Sequence, residues 1–212
     1  MAARIMSPQQ RAIRLLYTLT AGAERLPTPR PSGEVAIFRG VTRLNAMAFW
    51  VRYPDYLANE LLSIFEQQND REALAAAGRI LDDEEPLLRS DAMIRFRHGA
   101  YEKMDSDLSF LASRRILRRA KWVAGDQTLD VQYLLMPLAF EVAERAARDF
   151  PSLRWYSDRM GLVLKVVRHL GDVVLKRQQY LQPEYATTTQ GTPIPSIEPR
   201  VRERYRALAG RA

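Results

Sequence analysis

One segment of the chain alternates with period two, while nearly everything around it repeats at helical spacing. Leu129, Val131, Tyr133 and Leu135 fall on one side of an extended chain, and Asp130 and Gln132 fall on the other. Ahead of it, Ala124-Gly125-Asp126-Gln127-Thr128 carries turn chemistry, and residues 115–123 supply a first arm that alternates less cleanly. The spacing predicts a β-hairpin. Tyr101, Met104, Leu108, Leu111 and Ala112 precede it as a helical stripe of about three turns, and Pro137 opens a new helix after it.

The rest reads as helices divided by proline. Ser7 and Pro8 make an N-cap and first-turn pair for a helix over about 8–20, whose stripe is Ala12, Leu15, Leu16 and Leu19. Pro27, Pro29 and Pro31 then predict an extended arm between Gly22 and Gly33. Leu44, Met47, Ala48 and Val51 recur at helical spacing, and Pro54 restarts a stripe of Leu57, Leu61, Ile64 and Phe65. The run Asn69-Asp70-Arg71-Glu72 caps another short helix through Ile80, the acidic run 82–85 breaks it before Pro86, and 87–96 reads as helical again. Beyond the hairpin, helices are expected over 137–150, around the stripe Leu162, Val163, Val166, Val167 and Leu170, and from Asp172 to about Tyr180. After Leu181 the chain turns polar and is broken by Pro183, Pro193, Pro195 and Pro199, which predicts an extended tail. Residues 200–208 would form a basic helix on a partner.

The expected fold is therefore mostly α with a small sheet (α+β): a winged helix with a β-hairpin wing, a helical C-terminal extension and an extended polar tail. The expected division is 1–34 N-terminal helix and arm, 35–136 winged-helix core, 137–181 helical layer and 182–212 tail.

Composition narrows function. With 47% hydrophobic residues the chain can bury a core, and with no cysteine it has neither disulfides nor thiolate-held metal. No apolar run approaches the roughly 18–20 residues of a membrane span, and the N-terminus runs into Ser7-Pro8-Gln9-Gln10 without a signal-like stretch. A cytoplasmic protein is expected. His98 and His169 lie far apart, outside any metal-ligand spacing. Gly161-Leu162-Val163-Leu164-Lys165 lacks the glycines of a phosphate loop, and no Gly-x-Ser-x-Gly elbow occurs. The acids at 82–85 are consecutive, so they diverge rather than converge on a cleft. No catalytic residue, cofactor, metal or small-molecule substrate is expected.

The net charge is +7, and lysine occurs only at 103, 121, 165 and 176, so arginine dominates. Two explanations stand open: arginines that bind phosphate or carboxylate, or a genome that writes arginine for lysine. Arg114, Arg115, Arg118, Arg119 and Lys121 concentrate the charge at the end of the presumed recognition helix and the start of the wing. They are candidate contacts for duplex DNA or an acidic partner, or a solvated strand edge kept from aggregating. Asp105 and Asp107 at the start of that helix oppose sequence-specific groove reading. In the aromatic run Phe49, Trp50, Tyr53 and Tyr56, four rings cannot share one helix face. Arg52 and Tyr53 are therefore candidate interface residues beside a core role, and Val163, Val166, Val167 and Leu170 offer a docking stripe.

Three stretches together carry a resemblance: residues 43–57 with Arg52-Tyr53-Pro54 after the first core helix, Ile94-Arg95-Phe96-Arg97-His98-Gly99, and 111–117 entering the wing. Over roughly 10–181 the chain resembles the middle components of bacterial ABC three-component defence systems and is similar to the winged-helix accessory subunit of Lamassu-type anti-phage systems. That resemblance implies a non-catalytic adaptor docked on a larger SMC-like or ABC-type ATPase. The alternative from the same module is a winged-helix DNA-binding transcription regulator.

Overall fold

The computed structural model describes residues 6–85, 92–96, 99–101, 103–124, 127–170 and 181–211. The chain is mostly helical with a small antiparallel sheet, and it divides into two compact units, each built from two stretches of sequence. One comprises 1–48 and 103–161; the other comprises 49–102 and 162–212.

In the first unit, helix α1 (Pro8–Gly22) starts as its sequence dictates. The Ser7 hydroxyl accepts from the Gln10 amide at 3.2 Å, and the Gln10 side chain accepts from the Ser7 amide at 2.8 Å, with Pro8 in the first turn. Strands β1 (Glu24–Arg25), β2 (Ala36–Arg39), β5 (Leu117–Ala124) and β6 (Gln127–Leu135) form one sheet in the order β1-β2-β6-β5, all neighbours antiparallel. The expected hairpin is present as β5 and β6, while its turn at Gly125-Asp126 lies outside the described residues. Its alternation is not one-sided: Tyr133, Leu134 and Leu135 are all buried, because Leu134 pairs with buried Ile37 and Tyr133 with buried Phe38. At this end both faces of the sheet are covered.

Helix α2 (Val41–Arg52) begins in this unit, and α5 (Asp105–Ser113), α6 (Pro137–Asp149) and α7 (Pro151–Leu170) follow along the chain. Arg11 of α1 reaches buried Asp107 of α5 at 3.1 Å, and Tyr17 donates to the Ala143 carbonyl of α6 at 2.9 Å while stacking on Tyr156 at 5.8 Å.

Three expectations give way in this unit and at its edge. The arm at 22–34 folds back instead of extending. Leu26 donates to Val35, Arg30 to Glu34 and Gly33 to Arg30 at 2.8–2.9 Å, so backbone bonds within the segment hold it folded. Residues 36–39, for which no element is expected from the sequence, are a central strand, too short for its pattern to show. The helical stripe expected from Tyr101 begins only at Asp105, since Tyr101 belongs to a strand.

The second unit is built on α3 (Pro54–Gln68) and α4 (Arg71–Asp82), separated by Asn69 in the left-handed conformation and capped by Asp70, whose carboxylate accepts from the Ala73 amide at 3.0 Å. The expected helix over 87–96 is overturned in its described part. Ile94–Phe96 is a strand, β3, paired with β4 (Gly99–Tyr101), and a bridge joins Ile94 to Pro193. The alternation that marks a strand is lost in a run this short. The helix expected over 172–180 lies outside the described residues.

The expected extended tail is also corrected. Pro183 and Pro199 sit in the first turns of α8 (Pro183–Thr187) and α9 (Glu198–Ala209), and Tyr185, Ile194, Ile197, Val201 and Leu208 are buried. Helix α9 packs on α3 and α4. The prolines punctuate this segment without unfolding it. Its few apolar residues are spread over three short pieces, so no single period reveals them.

Candidate partner-binding surface

The five cations singled out in the sequence run from the C-cap of α5 into β5, and all are exposed. Arg114 caps α5 with its guanidinium 3.8 Å from the Phe110 ring centre. Arg115 has φ 56°, the left-handed turn that redirects the chain from helix into strand. Because side chains alternate along β5, Arg118 lies on one face of the sheet, while Arg119 and Lys121 lie on the other, opposite Tyr133 and Val131. β5 is the outermost strand, so this basic stretch is a sheet edge.

Two of the five cations have internal acids. Arg118 donates through Nε and Nη2 to Glu34 Oε1 at 3.0 and 2.6 Å, and Arg119 pairs with Asp105 at 2.9 Å. Glu34 itself is buried. The Ser32 hydroxyl donates to it at 2.6 Å, and that hydrogen bond together with Arg118 holds its carboxyl below the usual range against the upward pull of burial. Sequence reasoning misses Glu34, because a lone acid at the end of a proline-rich loop carries no periodic signal.

Helix α5 presents a different surface. Asp107, Leu108 and Leu111 turn inward, and its exposed positions are Asp105, Ser106, Ser109 and Ser113. No cation stands on the body of this helix. The bidentate base contacts made by arginine, lysine, asparagine or glutamine have no donor there.

The remaining candidates fall in the interior. Arg52 is buried and donates to the Ala92 carbonyl at 2.8 Å. Tyr53 is buried; its hydroxyl accepts from the Met93 amide and donates to the Ile194 carbonyl, both at 2.9 Å. Val163, Val166 and Val167 are buried, and the side chain of Leu170 lies outside those described. Arg52, Tyr53, Val163, Val166 and Val167 are core, so these described members of the expected interface are turned inward. A helical apolar stripe looks the same in sequence whether it meets another chain or its own.

Comparison with protein families, curated proteins and solved structures gives no match.

The aromatic run likewise closes on itself. Phe49 stacks on Tyr53 at 4.6 Å and meets Tyr56 and Tyr185 edge-on at 4.9 and 5.5 Å. Asp55, between Tyr53 and Tyr56 in sequence, is fully buried, and its carboxylate accepts from the Ser196 hydroxyl at 2.7 Å and the Ile197 amide at 2.6 Å. Burial raises its carboxyl above the ordinary value despite those donors. Two arginines of α9, half-buried, bond within the chain: Arg204 donates to the Asn59 carbonyl and to Ser63 at 3.0 Å, and Arg202 to the Leu81 carbonyl at 2.6 Å. Part of the arginine excess is thus structural. Among the described residues, no three metal-ligating side chains gather, and no helix is long and apolar enough to cross a membrane.

Proposed function

We propose that this chain is a non-catalytic accessory subunit that docks on a larger SMC-like or ABC-type ATPase in a bacterial anti-phage defence complex, working in the cytoplasm. The family element comes from the resemblance of residues 10–181 to the middle components of ABC three-component systems. The element order of the first unit supports the winged-helix part: α1, β2, the start of α2, α5, β5 and β6, with the sheet order β2-β6-β5 that brings the first strand against the last. That order is the one in which a winged helix presents its third helix and wing.

The observation that carries the docking role is the surface of α5. The helix in the recognition position exposes an aspartate and serines, and its other aspartate is tied inward to Arg11. Such a helix lacks the bidentate arginine, lysine, asparagine or glutamine contacts that dominate base reading, which favours protein contact and, through β5, phosphate or carboxylate contact. The test is a search for an SMC-like or ABC-type ATPase gene beside this one and co-expression of the two, followed by pull-down on a tag carried by this chain. Stoichiometric recovery of the ATPase is expected. Recovery of this chain alone, together with nanomolar binding to one operator sequence, would replace the subunit by a transcription regulator.

A further inference from the structure

We propose that the free edge of β5 is the docking site for an extended acidic segment of a partner protein, which joins the sheet as a fifth strand. The proposal rests on the docking role above and names the chemistry of the contact.

β5 is eight residues long and outermost in its sheet, and among the described residues no strand pairs with its outer side. Alternate residues of an edge strand direct their N–H and C=O groups outward, where an added strand finds partners; on β5 the run is regular from Leu117 to Trp122, and the Lys121 carbonyl also accepts from the Gln132 side chain at 3.0 Å. Two features select the occupant. From 114 to 124 the chain has five cations and no acid, so a second copy of the same edge is repelled and an acidic strand is attracted. The cations also stand on both faces, Arg118 on one and Arg119 with Lys121 on the other.

A phosphate backbone lies along one face of a surface and draws cations to that face. An added strand places its own alternate side chains on both faces, next to each of these cations. The distribution favours the strand. Arg118 and Arg119 remain 56% and 43% exposed although paired, and a guanidinium carries five N–H donors, so each has donors left for an incoming carboxylate. Exposed Val123 gives an apolar contact at the far end of the strand.

The experiment titrates the full chain into a fluorescent peptide of alternating glutamate and valine, followed by anisotropy. A second peptide of the same sequence carries N-methyl groups on alternate residues, which removes one hydrogen-bonding edge and keeps the charge. A labelled DNA duplex is the third probe. The first peptide is expected to bind, with new amide-exchange protection at alternate residues of β5. N-methylation, and separately the triple variant Arg118→Gln, Arg119→Gln, Lys121→Gln, should each weaken binding by about tenfold or more. Equal binding of the methylated peptide, no peptide binding at millimolar concentration, or duplex binding stronger than peptide binding overturns the proposal. The methylated arm uses unaltered protein, so the outcome stands even where the triple variant misfolds. Co-purification of the ATPase with a chain that ignores the peptides would sink this proposal alone, and peptide binding without ATPase recovery would sink only the subunit role.

Discussion

Glu34 and Asp55 are carboxylates of the interior, and their surroundings move them in opposite directions. Glu34 is held below its ordinary range by Ser32 and Arg118, so its contribution to stability is present above the unfolded-state value, near 4.3, and is lost as pH falls through the folded one. Replacing it by glutamine should lower the melting temperature at neutral pH, and the gap to the unaltered protein should narrow as the buffer is taken towards pH 3. A gap that stays constant would show that charge has no part in it. Asp55 runs the other way. Burial raises its carboxyl, so folding gains from it below the unfolded value, near 3.9, and that gain is lost as pH rises through the folded one. Its hydrogen bonds decide the effect of removal: Asp55→Ala leaves the Ser196 hydroxyl and the buried Ile197 amide without their acceptor, at a cost of about 2–4 kcal/mol. Denaturant titration gives the number, and a loss under about 1 kcal/mol would mean that water replaces the carboxylate.

Helix α9 behaves as an element of the core. A β-carbon built on Gly78 would lie 2.8 Å from the Tyr205 ring, so the glycine in α4 is what lets α9 approach. Gly78→Ala should destabilise by about 1–3 kcal/mol, and adding Tyr205→Ala should cost less than the two separate losses combined, because the clash disappears with the ring. Additive losses in a thermal-melt cycle would show that the two residues do not meet. Deleting 182–212 should likewise cut the melting temperature by many degrees, since it strips five buried apolar side chains from the unit built on α3 and α4. Long elements are the legible ones. The helix over 8–20, the restart at Pro54, the cap at Asp70 and the β5–β6 pair can all be read because their periods run for several repeats or their caps are local. β2, β3 and the buried side of 182–212 cannot, because each depends on residues distant in sequence to show which face is covered. The site is half legible on the same grounds. Closely spaced cations announce themselves, whereas the Glu34 that receives Arg118 stands 84 positions away.

For the molecule as a whole, the charge of +7 and the exposed cations on β5 should bring weak binding to any duplex, without base preference, as a mobility-shift titration would show. Neutralising Arg118, Arg119 and Lys121 together should flatten the dependence of that binding on salt, by roughly 0.9 in log–log slope for each phosphate that no longer meets a cation. An unchanged slope would place the phosphate-binding cations elsewhere. The second unit also sets an order in time, because Asp55 waits for a hydrogen bond from Ile197, which is 142 positions further on. At a synthesis rate of about 5–20 residues per second, α3 leaves the ribosome roughly 7–30 seconds before Ile197 and α9, which complete the cover that α4 begins, exist. Through that interval the part of its face that α9 covers is open to chaperones and to other nascent chains, so the yield of folded protein should depend on translation speed and temperature more than its final stability suggests.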